Sequence, residues 1–329
     1  MKLKTIARSL TGIAAGTLLL SFGAHASLTT FQTFVGNYGV SSDGWGGTDQ
    51  NGTLSANIPA GATIVGAYLY SAMYSTPATQ GDVTFNGTLI NNWDQSVTNN
   101  IEPSYPDYFR TGREDVTSIV QAGYDGLGGT YNYSVTEHDS RIDGESLIVV
   151  YELASLDVST VAILDGGAAL GGDTTQVNFA DPLDTSDPAF FAEMRLGISF
   201  SCCSQASNVT VNGSTLTNNA GSNDDGELVA NGSLLTMGGD NDDLLNTNTY
   251  DGDDERYDLT PFVSNGDTSI NIFTNNPSND DNIFVALFHV KGEAGFNEPP
   301  PNVPEPAALS LMAGGLLLLG ATRRRRKTA

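Results

Sequence analysis

Positive charge is scarce in this sequence, and most of it sits at the two ends. Of 14 Lys and Arg, three precede residue 27 and five follow residue 322, which leaves six in the body against 36 of the 38 acidic residues. A body with a net charge of −30 repels phosphate backbones, so nucleic acid is excluded as a partner. The same charge suits a solvated surface protein or one that gathers divalent cations. Histidine is also scarce. Only His138 and His289 lie beyond residue 25; one follows an alternating stretch and the other ends an apolar run, which marks both as structural or surface residues. No HExxH or similar spacing occurs, so no zinc site is predicted. GxSxG, P-loop and dinucleotide fingerprints are absent too. With 36 acids in the body, no carboxylate pair stands out for glycoside hydrolysis. The chain is read as non-enzymatic.

Cysteine is limited to the adjacent pair Cys202 and Cys203. Their Cα atoms are about 3.8 Å apart, below the usual disulfide window, and in a regular strand their side chains would point to opposite faces. A vicinal disulfide therefore requires a local turn, which SCCSQAS can supply. Intermolecular bridges and two partly buried thiols are the alternatives.

Outside the two ends, no long stretch keeps the 3.6-residue apolar period of a helix. Short bursts alternate instead, as in YNYSV (131–135) and SINIF (269–273), or run apolar, as in SLIVVY and NIFVALF, with turn residues bounding each. This pattern predicts an all-β fold. Three pieces recur in order. Asp82-VTFNG-Thr88 is echoed by Asn208-VTVNG-Ser214, RTGREDVTSIV (110–120) by DDERYDLTPFV, and IDGESLIVVYE (142–152) by NDDNIFVALFH (279–289). The expectation is two tandem β-sandwich (jelly-roll-like) modules from an internal duplication, over 27–155 and 156–292. Asn86-Gly87 and Asn212-Gly213 should form type I′ hairpin turns. The Asp-x-Thr pieces read as a turn entering a short strand, with Val116, Ile119 and Val120 packing inward. The apolar runs read as central strands buried on both faces.

The first echo lies 126 positions downstream and the second 143, so the second copy carries 17 extra residues between them. They fall in an acidic loop over 218–255, where function is most readily added. Asp240, Asp242, Asp251, Asp253 and Glu255 in that loop are candidate calcium ligands, since calcium takes six to eight hard oxygens, although the spacing fits no EF-hand. Among the aromatics, Trp93 and the SYPDYF loop (104–109) are candidates for stacking on sugar rings, while Tyr68 and Tyr70 read as strand residues.

The ends carry an address. Lys2, Lys4 and Arg8 precede the apolar run Leu10 to Phe22, and Ala24-His25-Ala26 supplies an A-x-A site, so residues 1–26 read as a signal peptide cleaved by signal peptidase before Ser27. A Pro-rich linker spans 293–303. A short apolar helix over 307–322 follows, and its Ala307–Ala321 stretch would reach roughly 22 Å against a hydrocarbon core of about 30 Å. The basic end 323–327 can extend that span by snorkelling and would stay cytoplasmic. The order Pro304-Glu305-Pro306, apolar helix, then Arg323, Arg324, Arg325 and Arg326 resembles the PEP-CTERM sorting signal of Gram-negative bacteria. That resemblance implies recognition and tail removal by an exosortase. It implies passage through an inner-membrane intermediate to the cell surface or the polysaccharide matrix of a biofilm. The body, with VTFNG (83–87), DVTSIV (115–120) and LIVVY (147–151), resembles uncharacterised duplicated β-rich bacterial and archaeal surface proteins. The function expected is a structural or polysaccharide-associated surface protein; the alternative is a carbohydrate-active enzyme or lectin-like module on the same fold.

Overall fold

The computed structural model describes residues 28–47, 49–74, 79–99, 109–169, 171–200, 206–221, 234–242, 244, 255–277 and 282–297. Its strands form four antiparallel sheets, in keeping with the all-β expectation. Sheet I orders β3 (Asn51–Ile58), β9 (Gly129–Glu137), β5 (Val83–Phe85) and β6 (Thr88–Ile90). Sheet II orders β2 (Tyr38–Gly46), β10 (Ile142–Glu152), β4 (Thr63–Tyr74), β8 (Phe109–Asp115) and β7 (Gln95–Asn99). Sheet III orders β1 (Thr29–Gly36), β11 (Ser159–Asp165), β19 (Asn282–Lys291), β13 (Ala192–Ser199) and β16 (Leu235–Met237), with β17 (Arg256–Asp258) also on β13. Sheet IV orders β20 (Ala294–Phe296), β12 (Asp173–Phe179), β18 (Ser269–Asn275), β14 (Ser207–Val211) and β15 (Ser214–Ala220).

Side-chain alternation stacks these sheets in the order I, II, III, IV. In β10, Leu147 and Val149 pack toward Val83, Phe85 and Tyr133 of sheet I. Ile148 and Val150 turn the other way, toward Val161, Ile163 and Leu287 of sheet III. In β11, Ala162 and Leu164 then face Val177, Val209 and Ile270 of sheet IV. A strand with apolar residues on both faces needs a neighbour on both, which is why SLIVVY and NIFVALF are continuous runs. The halves also share one strand order. Sheet II runs β2-β10-β4-β8 where sheet III runs β11-β19-β13-β17; sheet I runs β3-β9-β5-β6 where sheet IV runs β12-β18-β14-β15.

The two hairpins turn as their dipeptides require. Asn86 and Gly87 have φ of 45° and 83°, and Asn212 and Gly213 have 50° and 79°; Phe85 pairs with Thr88 and Val211 with Ser214 across two-residue loops. The Asp-x-Thr pieces differ from expectation: neither enters a strand. Thr117–Gly123 forms the helix α1, and the second copy forms a 3₁₀ turn at Thr260–Phe262. The reason is local. Asp115 Oδ1 accepts from Thr117 N at 2.9 Å and Asp258 Oδ1 from Thr260 N at 2.8 Å, which turns the chain out of its strand. Val116 and Val120 still point inward, now one helical turn apart.

Two edge strands cross the expected boundaries. The strand β1, grouped by sequence with the first half, pairs with β11 of the second, Phe34 opposite Val161. Residues 294–296, read as linker, form β20 beside β12. Each covers an edge that would otherwise expose unpaired backbone groups. Among the described residues, no helix is long and apolar enough to cross a membrane; the expected signal peptide and C-terminal helix lie outside those residues.

Leu287 is fully buried between sheets II and III. Leu287→Ala is expected to cost about 2–5 kcal/mol and to lower the urea midpoint at constant slope. Far-UV CD and tryptophan fluorescence should report one shared transition. Two separated transitions would mean that the layers unfold independently.

Candidate functional site

A cleft of about 770 Å³ opens where the ends of β2, β10, β13 and β19 meet. Its polar floor comes from an unusual strand. Glu193 and Arg195 lie two apart in the otherwise apolar β13, so both side chains leave the same face. Arg195, only 3% exposed, donates from Nη2 to Glu193 Oε1 at 2.8 Å and from Nη1 to Asp240 Oδ1 at 2.7 Å. A second Nη1 bond, also 2.7 Å, reaches Ser42 Oγ of β2. Arg256 of β17 holds the other Glu193 oxygen through Nε at 3.1 Å and Nη2 at 2.9 Å. Ser41 Oγ donates to Asp240 Oδ2 at 2.5 Å and accepts from Asn57 N at 2.8 Å. One guanidinium therefore ties together sheets II and III and the segment after β16.

Rings frame this floor. Tyr151 lies over Gly39, where a Cβ would come within 2.5 Å of the ring, so only glycine allows the close approach. Phe191 packs edge-on to His289 with centroids 4.6 Å apart. His289 Nε2 meets Ser159 Oγ at 3.1 Å, and its Nδ1 lies 3.9 Å from Glu193 Oε1.

The electrostatics decide what this arrangement can do. Burial lowers the His289 pKa to about 4, against the pull of Glu193, so the ring is neutral near pH 7. Burial also opposes ionisation of Glu193, but the paired Arg195 and Arg256 outweigh it and hold that carboxyl below the ordinary glutamate range. Glu193 therefore stays ionised and has no proton to give to a leaving group. The cleft offers fixed donors and acceptors beside aromatic rings, with its charges mutually cancelled.

The sequence-predicted sites fall unevenly. Asp240 belongs to the cleft. Asp242 Oδ2 instead accepts from Gly239 N at 2.6 Å, and buried Glu255 accepts from Thr236 Oγ1 at 2.5 Å and Gly221 N at 2.7 Å. These three candidate calcium ligands thus have separate partners, and among the described residues no group of three or more His, Cys, Asp or Glu is arranged to hold a metal ion. Asp251, Asp253, Cys202, Cys203, Ala24, Ala26, Tyr105, Tyr108, Pro304 to Pro306 and Arg323 to Arg326 lie outside the described residues. Trp93 is half-buried and donates from Nε1 to Gly81 O at 3.0 Å. Its ring packs where a Gly112 Cβ would be, 2.7 Å from that position, so it serves packing rather than stacking.

A family model described as "Protein of unknown function (DUF3344)" matches residues 21–290. The chain belongs to the DUF3344 family. The match takes in strands of all four sheets. No curated protein and no solved structure matches the chain.

For this DUF3344 chain, sequence reasoning missed Glu193, Arg195, Arg256 and the role of His289. A signal was present: two opposite charges spaced by two inside AEMRLGIS, using one of only six basic residues in the body. A buried strand carries such a pair only when the charges find partners.

Two outcomes follow from this network. Arg195→Met leaves Glu193 and Asp240 short of a partner and is expected to cost about 3–5 kcal/mol in urea unfolding. The unfolded chain binds a proton at His289 near pH 6.5, whereas the folded chain waits until about 4. Stability is therefore lost as pH falls through that window. His289→Asn should shrink the stability difference between pH 7 and pH 4.5 by about 2 kcal/mol, and an unchanged acid limb would count against a buried neutral imidazole.

Proposed function

We propose that this is an exported surface or extracellular-matrix protein, sorted by an exosortase through Pro304-Glu305-Pro306, which holds extracellular polysaccharide in its cleft without catalysis. The observation that carries the binding is the cleft: Tyr151 and Phe191 beside the donors and acceptors of Arg195, Glu193, Asp240 and Arg256. Neutral sugars present hydroxyls that both donate and accept, with apolar ring faces between them, so a charge-cancelled cleft with fixed polar groups and rings suits them. A polyanion would meet the acidic surface of the body instead. In this reading, sheets I and II form one sandwich module and sheets III and IV a second, descended from one ancestor by duplication. The shared strand order and the three echoed sequence pieces support that descent.

A carbohydrate-active enzyme is the competing reading. It would need a protonated carboxyl facing the sugar, whereas Glu193 is held ionised by two arginines. This favours recognition over hydrolysis.

Electrophoresis through gels containing the host's own exopolysaccharide tests the binding. Tyr151→Ala and Arg256→Gln should each weaken retardation by about tenfold, the loss of one well-made contact. Retardation unchanged in both would remove the cleft from the proposal. Intact mass tests the sorting: the surface-recovered chain should begin near Ser27 and stop near Pro304. A chain in the inner membrane that retains Arg323 to Arg326 would be a plain anchored protein.

A further inference from the structure

At the end of β10 away from the cleft, the fold buries acids without giving them partners. Glu145 leaves β10 on the face that Leu147 and Val149 turn toward sheet I, and Glu137 ends β9 on the buried face of Tyr133 and Val135. The two carboxyls therefore face each other across sheets I and II, with Asp143 beside them. Exposure is 3% at Glu137 and 0% at Asp143 and Glu145. Ser71 Oγ donates to Glu145 Oε1 at 3.1 Å, but Glu145 Oε2 and Glu137 Oε1 have no hydrogen-bond partner. The backbone N–H of Phe200 is the one group near Asp143 that favours its charge. Among the described residues, no Arg, Lys or His forms an ion pair with any of the three.

A neutral oxygen in the same corner is also unsatisfied. Gln80, 6% exposed, donates from Nε2 to Ser71 O at 3.1 Å and Ser71 Oγ at 3.3 Å, while its Oε1 has no partner. A cavity of about 520 Å³ reaches Glu137 past Asp49, Gln50, Asn51 and Ser140, which gives an access route and room for water.

The second half shows that the fold does not demand these acids. Glu145 stands opposite Ser71 in sheet II; Asn282 stands opposite Ser199 at the equivalent place in sheet III, and its Nδ2 donates to Ser199 Oγ at 3.4 Å. Glu137 stands opposite Val83, and Thr274 stands opposite Val209. Neutral residues thus stand in the second half where Glu145 and Glu137 stand in the first.

We propose that Glu137, Glu145 and Gln80 Oε1 bind a hard divalent cation of the calcium type, with Asp143 adding to the negative field. Buried charges without partners are strongly unfavourable, so the corner must be filled either by protons or by a cation. An all-oxygen donor set of carboxylates, a carboxamide and water from the cavity fits calcium and is too hard for zinc. Without the cation, burial raises the pKa of Glu145 against the pull of its Ser71 hydrogen bond, and burial together with the nearby Glu145, Asp143 and Asp139 raises that of Glu137.

Calcium titration of the chelator-stripped mature protein near neutral pH tests the site, read by thermal melting and terbium luminescence. At about 100 times Kd the melting temperature should rise by about 5–10 °C, with terbium emission sensitised by Trp93, which packs against the same Gly112 as Gln80. Glu145→Gln and Glu137→Gln should each abolish the shift while melting at or above the stripped wild type, since each replaces an unpaired buried acid with a neutral amide. Asp251→Asn with Asp253→Asn should retain it. No shift at about 10 mM calcium, well above the ~1 mM affinity of weak extracellular sites, would mean that protons fill the corner and would overturn the proposal. So would a shift that survives both Gln variants or disappears with the loop variants.

Discussion

Everything in this fold rests on the face shared by sheets II and III. The middle strands β10, β11 and β19 of the two central sheets have a layer on each face, so they are apolar on both sides, and that requirement shapes the runs SLIVVY and NIFVALF. Two buried ion clusters pin the contact. Arg113 of β8 reaches Asp165 of β11, which also accepts from Tyr70 Oη at 3.0 Å, while Phe31 of β1 lies 3.4 Å from the Arg113 guanidinium carbon. Arg195 of β13 reaches Ser42 of β2 and Asp240. A buried ion pair adds little net stability, but removing one partner leaves a bare charge. The clusters therefore act chiefly on alignment: a slipped sheet would strand Asp165 or Arg195 among apolar side chains.

Ion pairs consume most of the positive charge available. Of six basic residues in the body, Arg113, Arg141, Arg195, Arg256 and Lys291 all sit in ion pairs. The surplus acids are left to face solvent and, at Glu137, Asp143 and Glu145, the interior. Such a molecule has little spare cationic surface for a polyanion. The polar groups not consumed in this way gather at the two ends of β10.

Much of this was legible from the residues. The alternation in VTFNG and VTVNG set the strand faces, and Asn-Gly set both turns, because each rests on bonds between near neighbours in the chain. The double-faced burial of SLIVVY was legible too, and it already implies a layer on each side. Which layer is a different matter: a period of two says that Ile148 and Leu147 diverge, not that Ile148 meets Leu287 from the other half. The pairing of strand β1 with β11 was not legible for the same reason, since pairing partners across more than a hundred residues leave no local mark. The helix α1 was missed because Asp-x-Thr was read as a turn into a strand, whereas the Asp115 cap on Thr117 N turns the chain out of β8 into a helix. The charge pair in AEMRLGIS was readable as an anomaly, but its partners Ser42 and Asp240 were not.

Where the two halves depart from each other is more informative than where they agree. The shared strand order accounts for the core, so departures from it need another cause. One is the 17-residue excess in the acidic segment, which adds β16 to the edge of β13 and brings Asp240 onto Arg195. That addition builds a wall of the cleft. The other is the exchange of Asn282 and Thr274 for Glu145 and Glu137, which builds the acidic corner. Both departures lie at the ends of β10 and leave its middle alone. A core strand whose centre must satisfy two neighbouring sheets has no freedom to vary there. Its strand ends do, so new chemistry in this fold can collect only at the two rims of the stack.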